Sequence, residues 1–334
     1  MAKGLDVGTS YIVLSQHSSG GISYRDFRDA FYIIKPSTPV ATKMIEKGLT
    51  GKVFIKDTDG SFILLGKDAI EKAIERNDTA KRPMYRGVVS AKEKDAKRIL
   101  AFILKEVVGT ASEPGEKLVF CVPAQPVDQE DDDFDVGYHE DVVKTVLSEC
   151  GYNARSINEA EALCYAELDN DDYTGIGISC GAGMTNVCVM LNGEPTVVFS
   201  TTKSGDWIDR MSAVATGEPD SVVQAEKEGG DFKIGEPNDN PVLAAVSAYY
   251  ERLIDYTTKQ LSVALKNHKL LPKFKNPIKI VIAGGTSQAK GYIDLFKNKL
   301  DENNFPLPVK DVVHSSDPLH AVSKGCLIAS EVLS

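Results

Sequence analysis

Gly177-Ile178-Ser179-Cys180-Gly181-Ala182-Gly183-Met184-Thr185-Asn186-Val187-Cys188-Val189-Met190 carries an apolar run into a Gly-x-Gly turn, past a threonine, and out as a second apolar run. The pattern reads as a β-hairpin with glycines at its tip. Without a Cβ in the way, backbone N–H groups there can approach an anion closely. A second version opens the chain: Gly4-Leu5-Asp6-Val7-Gly8-Thr9-Ser10-Tyr11-Ile12-Val13-Leu14. Taken singly, either hairpin reads equally well as a structural turn. As a pair half a chain apart, they predict a duplicated domain facing itself across a nucleotide cleft.

The rest of the chain is consistent with such a body. Its 334 residues suffice for two domains with real cores. Hydrophobic content of 42% and charged content of 26% are those of a soluble globular protein. A net charge of −10 argues against a nucleic-acid partner or an anionic membrane surface. The six cysteines form no Cys-x-x-Cys and sit mostly in apolar runs, which points to reduced, buried thiols and a cytoplasmic location. A strand beginning by Leu5 leaves no room for a signal peptide, and no apolar run reaches membrane-spanning length. Nor is there an amphipathic N-terminal helix to serve as a direct membrane anchor.

Strands are expected at Leu5–Leu14, Ile22–Arg25 and Phe31–Ile34. Residues 36–85 read as a small inserted subdomain with short strands at Lys52–Ile55 and Phe62–Leu65 and a closing helix from about Lys67 to Arg76. Ala91–Val108 carries Ile99, Phe102, Ile103 and Val107 at helical spacing. A buried strand at Lys117–Val122 ends at Pro123, and helices follow around Glu140–Cys150 and Asn158–Leu168. After the central hairpin, Gly205-Asp206-Trp207-Ile208-Asp209 opens a helix, and residues 217–241 read as part of a second insertion. A long helix (Pro241–Leu265), a strand (Lys279–Ala283), a helix over 289–300 and a last one near Ala321–Leu333 complete an α/β pattern laid out twice.

Five segments in register resemble the superfamily of actin, DnaK-type chaperones and sugar kinases. Leu5–Ser10 and Ser179–Asn186 resemble its two phosphate loops. Ile157-Asn158-Glu159-Ala160-Glu161-Ala162 and Asp317–Gly325 resemble its two connecting segments, and Ile280–Ser287 its adenosine motif. Arg82–Val89 and Ser204–Asp209 are most similar to prokaryotic actins of the MreB and MamK kind. The resemblance implies two duplicated actin-like (RNase H-like) domains around a nucleotide cleft, each with a small inserted subdomain. Their expected extents are 1–155, with an insertion at about 36–85, and 156–334, with one at about 215–270. The C-terminal helix should pack back on the first domain.

The same resemblance implies the site. Gly8, Thr9, Ser10 and Tyr11 with Gly181, Ala182, Gly183, Met184 and Thr185 would hold the phosphates of ATP. Gly284, Gly285, Thr286 and Gln288 would lie against adenosine and the α-phosphate. Gly205 and Asp206 would meet ribose or a phosphate-side water, and Lys227 and Glu228 would flank ribose and adenine, unless they are only a solvated helix face. Asp6 would hold Mg²⁺ through water. Glu140, with His139 second, would orient the attacking water. One departure stands out: the family's second loop begins with aspartate, and here Ser179 is neutral. Binding should therefore survive on backbone contacts while hydrolysis is slow, unless the acidic run Asp131-Asp132-Asp133-Phe134-Asp135 folds over the cleft.

The function so implied is an actin-like ATPase that self-associates into cytoskeletal filaments, with an adaptor protein as a further partner. A small-molecule kinase of the same fold and a monomeric chaperone-like module are the alternatives.

Overall fold

The computed structural model describes residues 2–129, 134–268 and 274–332. The first half opens with β1 (Lys3–Val7), β2 (Tyr11–Ser18) and β3 (Gly21–Arg28), an antiparallel meander. An insertion follows: β4 (Phe31–Ile34), α1 (Pro39–Gly48), β5 (Phe54–Lys56), β6 (Phe62–Leu65), α2 (Lys67–Glu75), β7 (Met84–Tyr85) and β8 (Val88–Val89). The chain then returns as α3 (Ala96–Val108), β9 (Glu116–Val122), α4 (Val136–Glu149), β10 (Tyr152–Asn158) and α5 (Glu159–Glu167). The first five-stranded sheet has the order β10-β9-β1-β2-β3, with β9 parallel to both β1 and β10.

The second half repeats this plan. Strands β11 (Gly175–Cys180), β12 (Thr185–Leu191) and β13 (Glu194–Thr201) form a second antiparallel meander. Three helices follow, α6 (Gly205–Thr216), α7 (Asp220–Gly229) and α8 (Pro241–Asn267). The half closes with β14 (Ile278–Ala283), α9 (Tyr292–Glu302), β15 (Val309–His314) and α10 (Ala321–Val332). Its sheet runs β13-β12-β11-β14-β15, again with two parallel strands beside the hairpin. Both sheets therefore read 3-2-1-4-5 in their own strand order. The structure is the two-domain actin-like α/β fold that the paired hairpins implied.

Side-chain alternation fixes how the sheets are covered. Ile176, Ile178 and Cys180 point into a core built with α6, α8 and α9, while Leu5 and Val7 point into one built with α3 and α4. On the opposite faces, α5 lies against β11 and β12, and α10 lies against β1 and β9. Glycines make both approaches possible. A Cβ on Gly4 would fall 2.2 Å from backbone atoms of Ser323 and Leu327 in α10, and one on Gly177 would fall 2.8 Å from the Ala160 carbonyl in α5. Each glycine stands two residues before the last charged or polar position of its strand, Asp6 or Ser179. Each connecting helix thus leaves one half and packs near the hairpin of the other.

The structure differs from the sequence expectations at several elements. Phe31–Ile34 pairs with β6 in a separate three-stranded sheet, β4-β6-β5, rather than extending the main meander. Six elements went unassigned from the sequence: α1, β7, β8, β10, α7 and β15. Strand β15 is an edge strand with three exposed or half-buried residues in its first three positions, so it lacks an apolar run. Helix α1 buries no residue at all. Helix α7 buries only Val223. Of the acidic run, residues 131–133 lie outside the described residues, while Asp135 caps α4, its side chain accepting the Tyr138 N–H at 2.8 Å.

Candidate functional site

The two hairpins have matching tips. Gly8 N–H donates to the Tyr11 carbonyl at 3.0 Å, and Gly181 N–H donates to the Met184 carbonyl at 3.0 Å. The tips touch: a Cβ on Gly183 would lie 2.5 Å from Thr9 Oγ1. Thr9 Oγ1 in turn accepts the Gly87 N–H at 2.9 Å, which seats the β7–β8 turn over both.

The carbonyls of the second tip are held from behind. The N–H of Asp206 donates to the Ala182 carbonyl at 2.8 Å, and the hydroxyl of Thr286 donates to that of Gly181 at 2.7 Å. Ser204 Oγ donates to the Met184 carbonyl at 3.0 Å. Thr185, by contrast, spends its hydroxyl on the Lys203 carbonyl at 3.0 Å. Among the described residues, the N–H groups of Ala182, Gly183 and Met184 have no acceptor, nor do those of Thr9 and Ser10 in the first tip. Clustered, unpaired backbone donors of this kind make an anion site.

Below the tips lies a small group of acids. One ligand atom each of Asp6, Cys121 and Glu159 falls within 4.8 Å of the others. Burial pushes the Asp6 carboxyl up to about 6, partly offset by the Cys121 thiol, which donates to Oδ1 at 3.1 Å. Burial also pushes Glu159 up to about 8, with repulsion from Asp6 next and the Asn186 amide as a partial offset. Asn186 donates to Glu159 and is itself fixed by the Ala124 N–H at 2.9 Å. Two carboxyl groups that face each other this poorly neutralised suit a hard divalent cation, whose charge would let both ionise. The residues fit Mg²⁺, with Asp6 and Glu159 as its carboxylates.

Glu159 is the functional candidate that sequence reasoning missed. It stands at the first position of α5, capped by Asn158, whose side chain accepts the Ala160 N–H at 2.8 Å. Ser179 lies on the α5 side of β11, in line with Gly177. The carboxylate absent from that strand is thus matched by one arriving from the helix that covers it. The available signal was an acid at the first position of a helix, directly after an asparagine cap.

The residues expected to meet the nucleoside lie on α6, α7 and the turn after β14. Gly284 N–H donates to the Pro318 carbonyl at 3.1 Å, which ties this turn to the second connecting segment. Gly285 and Gln288 are exposed beside it. Lys227 Nζ lies 2.8 Å from the Asp209 carboxylate and 3.2 Å from the Gly205 carbonyl. Burial lifts Asp209 to about 6 despite Lys227. Glu228 is exposed and accepts from Gln224 at 2.7 Å, and its charge adds to the upward shift of Asp209. Asp206 is engaged by Arg82 across the cleft, at 2.9 and 3.0 Å.

The two water-orienting candidates differ sharply. Glu140 accepts the Ser156 hydroxyl at 2.6 Å, on the edge strand β10. His139 is fully buried on the inner face of α4, and neither ring nitrogen has a partner. Burial lowers its pKa to about 4, so the ring is neutral at neutral pH. The start of α4 packs on β8, where Val88 clusters with Phe134 and Met184 of the second tip.

Solved structures share this architecture over the whole chain. A structure described as a MamK double helical filament has a TM-score of 0.74 at 20% identity, covering 100% of this chain and 99% of that one. MreB 5 of Spiroplasma citri bound to AMPPNP has a TM-score of 0.66 at 15% identity, covering 99% and 96%. The ethanolamine utilization protein EutJ from Carboxydothermus hydrogenoformans has a TM-score of 0.53 at 16% identity, covering 98% and 88%. No curated protein sequence matches the chain. The family profile described as Volactin matches residues 1–330, and the chain, an actin-like protein by fold, belongs to that family.

Proposed function

We propose that this protein binds ATP with Mg²⁺ between its halves, hydrolyses it slowly and assembles into filaments, with ATP binding favouring assembly. The observation that carries the nucleotide reading is the pair of touching tips whose N–H groups at Thr9, Ser10, Ala182, Gly183 and Met184 have no acceptor among the described residues. These donors would bind the β- and γ-phosphates. Asp6 and Glu159 would hold Mg²⁺, which when bound supplies positive charge to the phosphates. Gly284 and Gly285 would admit the nucleoside, with Asp206 and Lys227 on its other side.

For hydrolysis, Glu140 is the first candidate for orienting the attacking water and His139 the second. The neutral Ser179 goes with slow turnover.

The assembly half of the proposal draws on the full-length likeness to a MamK filament. The likeness to EutJ, whose description names no filament, is a reason to test assembly separately from binding. The six cysteines are buried and free, which supports a reducing, cytoplasmic setting. Among the described residues, no helix is long and apolar enough to cross a membrane.

Pelleting and electron microscopy of the purified chain, with and without Mg-ATP, test assembly. A strictly monomeric protein at high concentration with Mg-ATP overturns the filament reading. Phosphoryl transfer to a sugar or acid in a substrate screen replaces it with a kinase.

A further inference from the structure

Arg82 follows a short antiparallel bridge between Phe31 and Lys81, with N–H···O distances of 2.8 and 2.9 Å that fix its backbone in the first half. Its guanidinium nevertheless crosses the cleft to both oxygens of Asp206, at the start of α6 in the second half. The pair is only partly covered, with side-chain exposures of 24% and 31%.

A second carboxylate, Asp29, lies close enough to Arg82 for each to shift the other's titration. Asp29 is 1% exposed, and neither of its oxygens has a hydrogen-bond partner among the described residues. Burial drives its pKa well up, opposed first by the Arg82 charge, then by a weak approach of the Met84 N–H that falls short of a well-formed hydrogen bond, and by Arg28. Arg28 is committed elsewhere: it donates to Ser10 Oγ at 3.0 Å and stacks on the Tyr11 ring at 4.4 Å. Arg82 is thus the neighbouring cation whose own bonds go to the other half, while a buried acid beside it goes unpaired. Held neutral by burial, Asp29 would ionise if a guanidinium turned to it, exchanging one ion pair for another.

The two acids are placed alike with respect to the hairpin tips. Asp29 N–H donates to the Ser10 carbonyl at 3.0 Å, and Asp206 N–H donates to the Ala182 carbonyl at 2.8 Å. Each acid therefore grips, through its own main chain, one residue of a tip whose N–H groups would meet phosphate.

We propose that Arg82 is an interdomain latch with two seats, Asp206 across the cleft in the conformation seen here and Asp29 in its own half once nucleotide occupies the cleft. The proposal rests on the nucleotide reading above. Phosphates drawn between Ser10 and Ala182 pull on the two carbonyl anchors, and polar groups of the nucleotide compete with Arg82 for Asp206. Release to Asp29 would give the buried acid a cationic partner beside which it can ionise. By linkage, whatever factor nucleotide takes from the Arg82–Asp206 pair, that pair takes from nucleotide affinity.

Double-mutant cycles on the full chain test this. Arg82→Ala is combined with Asp206→Asn and, separately, with Asp29→Asn, and urea unfolding is followed by fluorescence of Trp207, the only tryptophan and the neighbour of Asp206. Each cycle is run without nucleotide and with saturating Mg-AMPPNP. Without nucleotide, the Arg82–Asp206 coupling should be about three- to tenfold in the unfolding constant, and that of Arg82–Asp29 near unity. Mg-AMPPNP should exchange the two. A coupling to Asp206 that nucleotide leaves unchanged, or no coupling to Asp29 in either state, overturns the latch. If Arg82→Ala does not fold, Arg82→Lys keeps the charge but not the forked geometry, and the same cycles are read with it. Failure of the wild-type chain to bind AMPPNP overturns the reading of the cleft and the latch with it, whereas binding with unchanged couplings overturns the latch alone.

Discussion

The two halves share a backbone plan but not a charge plan. Gly4 and Gly177 admit the crossing helices at the same strand position, and Gly8 and Gly181 close the same turn. Two residues after each helix-admitting glycine the copies part: the first half ends its strand with Asp6, the second with Ser179. Backbone geometry, which serves phosphate binding, is kept in both copies. The carboxylate, which would serve a metal in the proposed reading, is kept in one, while α5 brings Glu159 to the other. Anion binding and metal binding are thus separable demands on the same hairpin.

The backbone half of the comparison carries the largest expected effects. Gly4→Ala places a methyl 2.2 Å from main-chain atoms of α10, which cannot move without shifting the helix. We expect a loss of about 3 kcal/mol or more in urea unfolding. Gly177→Ala meets the Cys164 sulfur at 2.7 Å and the Ala160 carbonyl at 2.8 Å, and should cost about 1–3 kcal/mol. Equal tolerance of both would mean that the helices are not pinned as the structure has them.

The charge half should be asymmetric. Asp6→Asn removes a carboxylate facing Glu159 and should weaken Mg²⁺-dependent ATP binding about 10- to 100-fold, measured by titration calorimetry with and without EDTA. Ser179→Ala should change affinity by less than about twofold, since a neutral hydroxyl that makes no side-chain hydrogen bond among the described residues contributes little. Comparable losses from the two substitutions would erase the distinction drawn here.

What was legible in the sequence follows the same line. Glycine-tipped hairpins, apolar strands and long amphipathic helices are local patterns, so the sheets' central strands, both connecting helices and the phosphate tips could be read directly. Strand β15 could not, because an edge strand with a solvated face carries no apolar run. Helix α1 could not, because it buries nothing in this chain. Glu159 was visible as a residue but not as a site: its meaning comes from Asp6 and Asn186, which lie 153 and 27 positions away and meet it only through the crossing of α5 with β11. Arg82 was read as part of a family motif, and its cross-cleft reach to Asp206 is likewise a tertiary fact.

A smaller effect comes from protons. Asp6 and Glu159 both have folded pKa values raised above their ordinary 3.8 and 4.5, to about 6 and about 8. A raised carboxyl keeps its proton in the folded state where the unfolded chain has released it. Its contribution is therefore complete below the ordinary value and lost as pH rises towards the folded one. Nucleotide-free protein should lose on the order of 1–3 kcal/mol of stability between pH 5 and pH 8. Glu159→Gln should flatten most of that slope, and Mg-ATP should restore stability at pH 8. A slope unchanged in Glu159→Gln would place the titrating groups elsewhere.

The smallest effect should come from restoring symmetry at Ser179. Ser179→Asp puts a third carboxylate beside two that already resist ionising together. Without metal the addition should be unfavourable, by about 1–2 kcal/mol in urea unfolding, because burial and like charge act in the same direction. With Mg-ATP bound the penalty should largely vanish, and a second carboxylate near the attacking water should raise steady-state hydrolysis about threefold, a change of roughly 0.7 kcal/mol in the barrier. Phosphate-release assays at saturating ATP read that change directly. An unchanged or lower rate with nucleotide affinity intact would mean that Glu159 already supplies what the strand lacks, and that the divergence of the two hairpins costs the protein nothing in turnover.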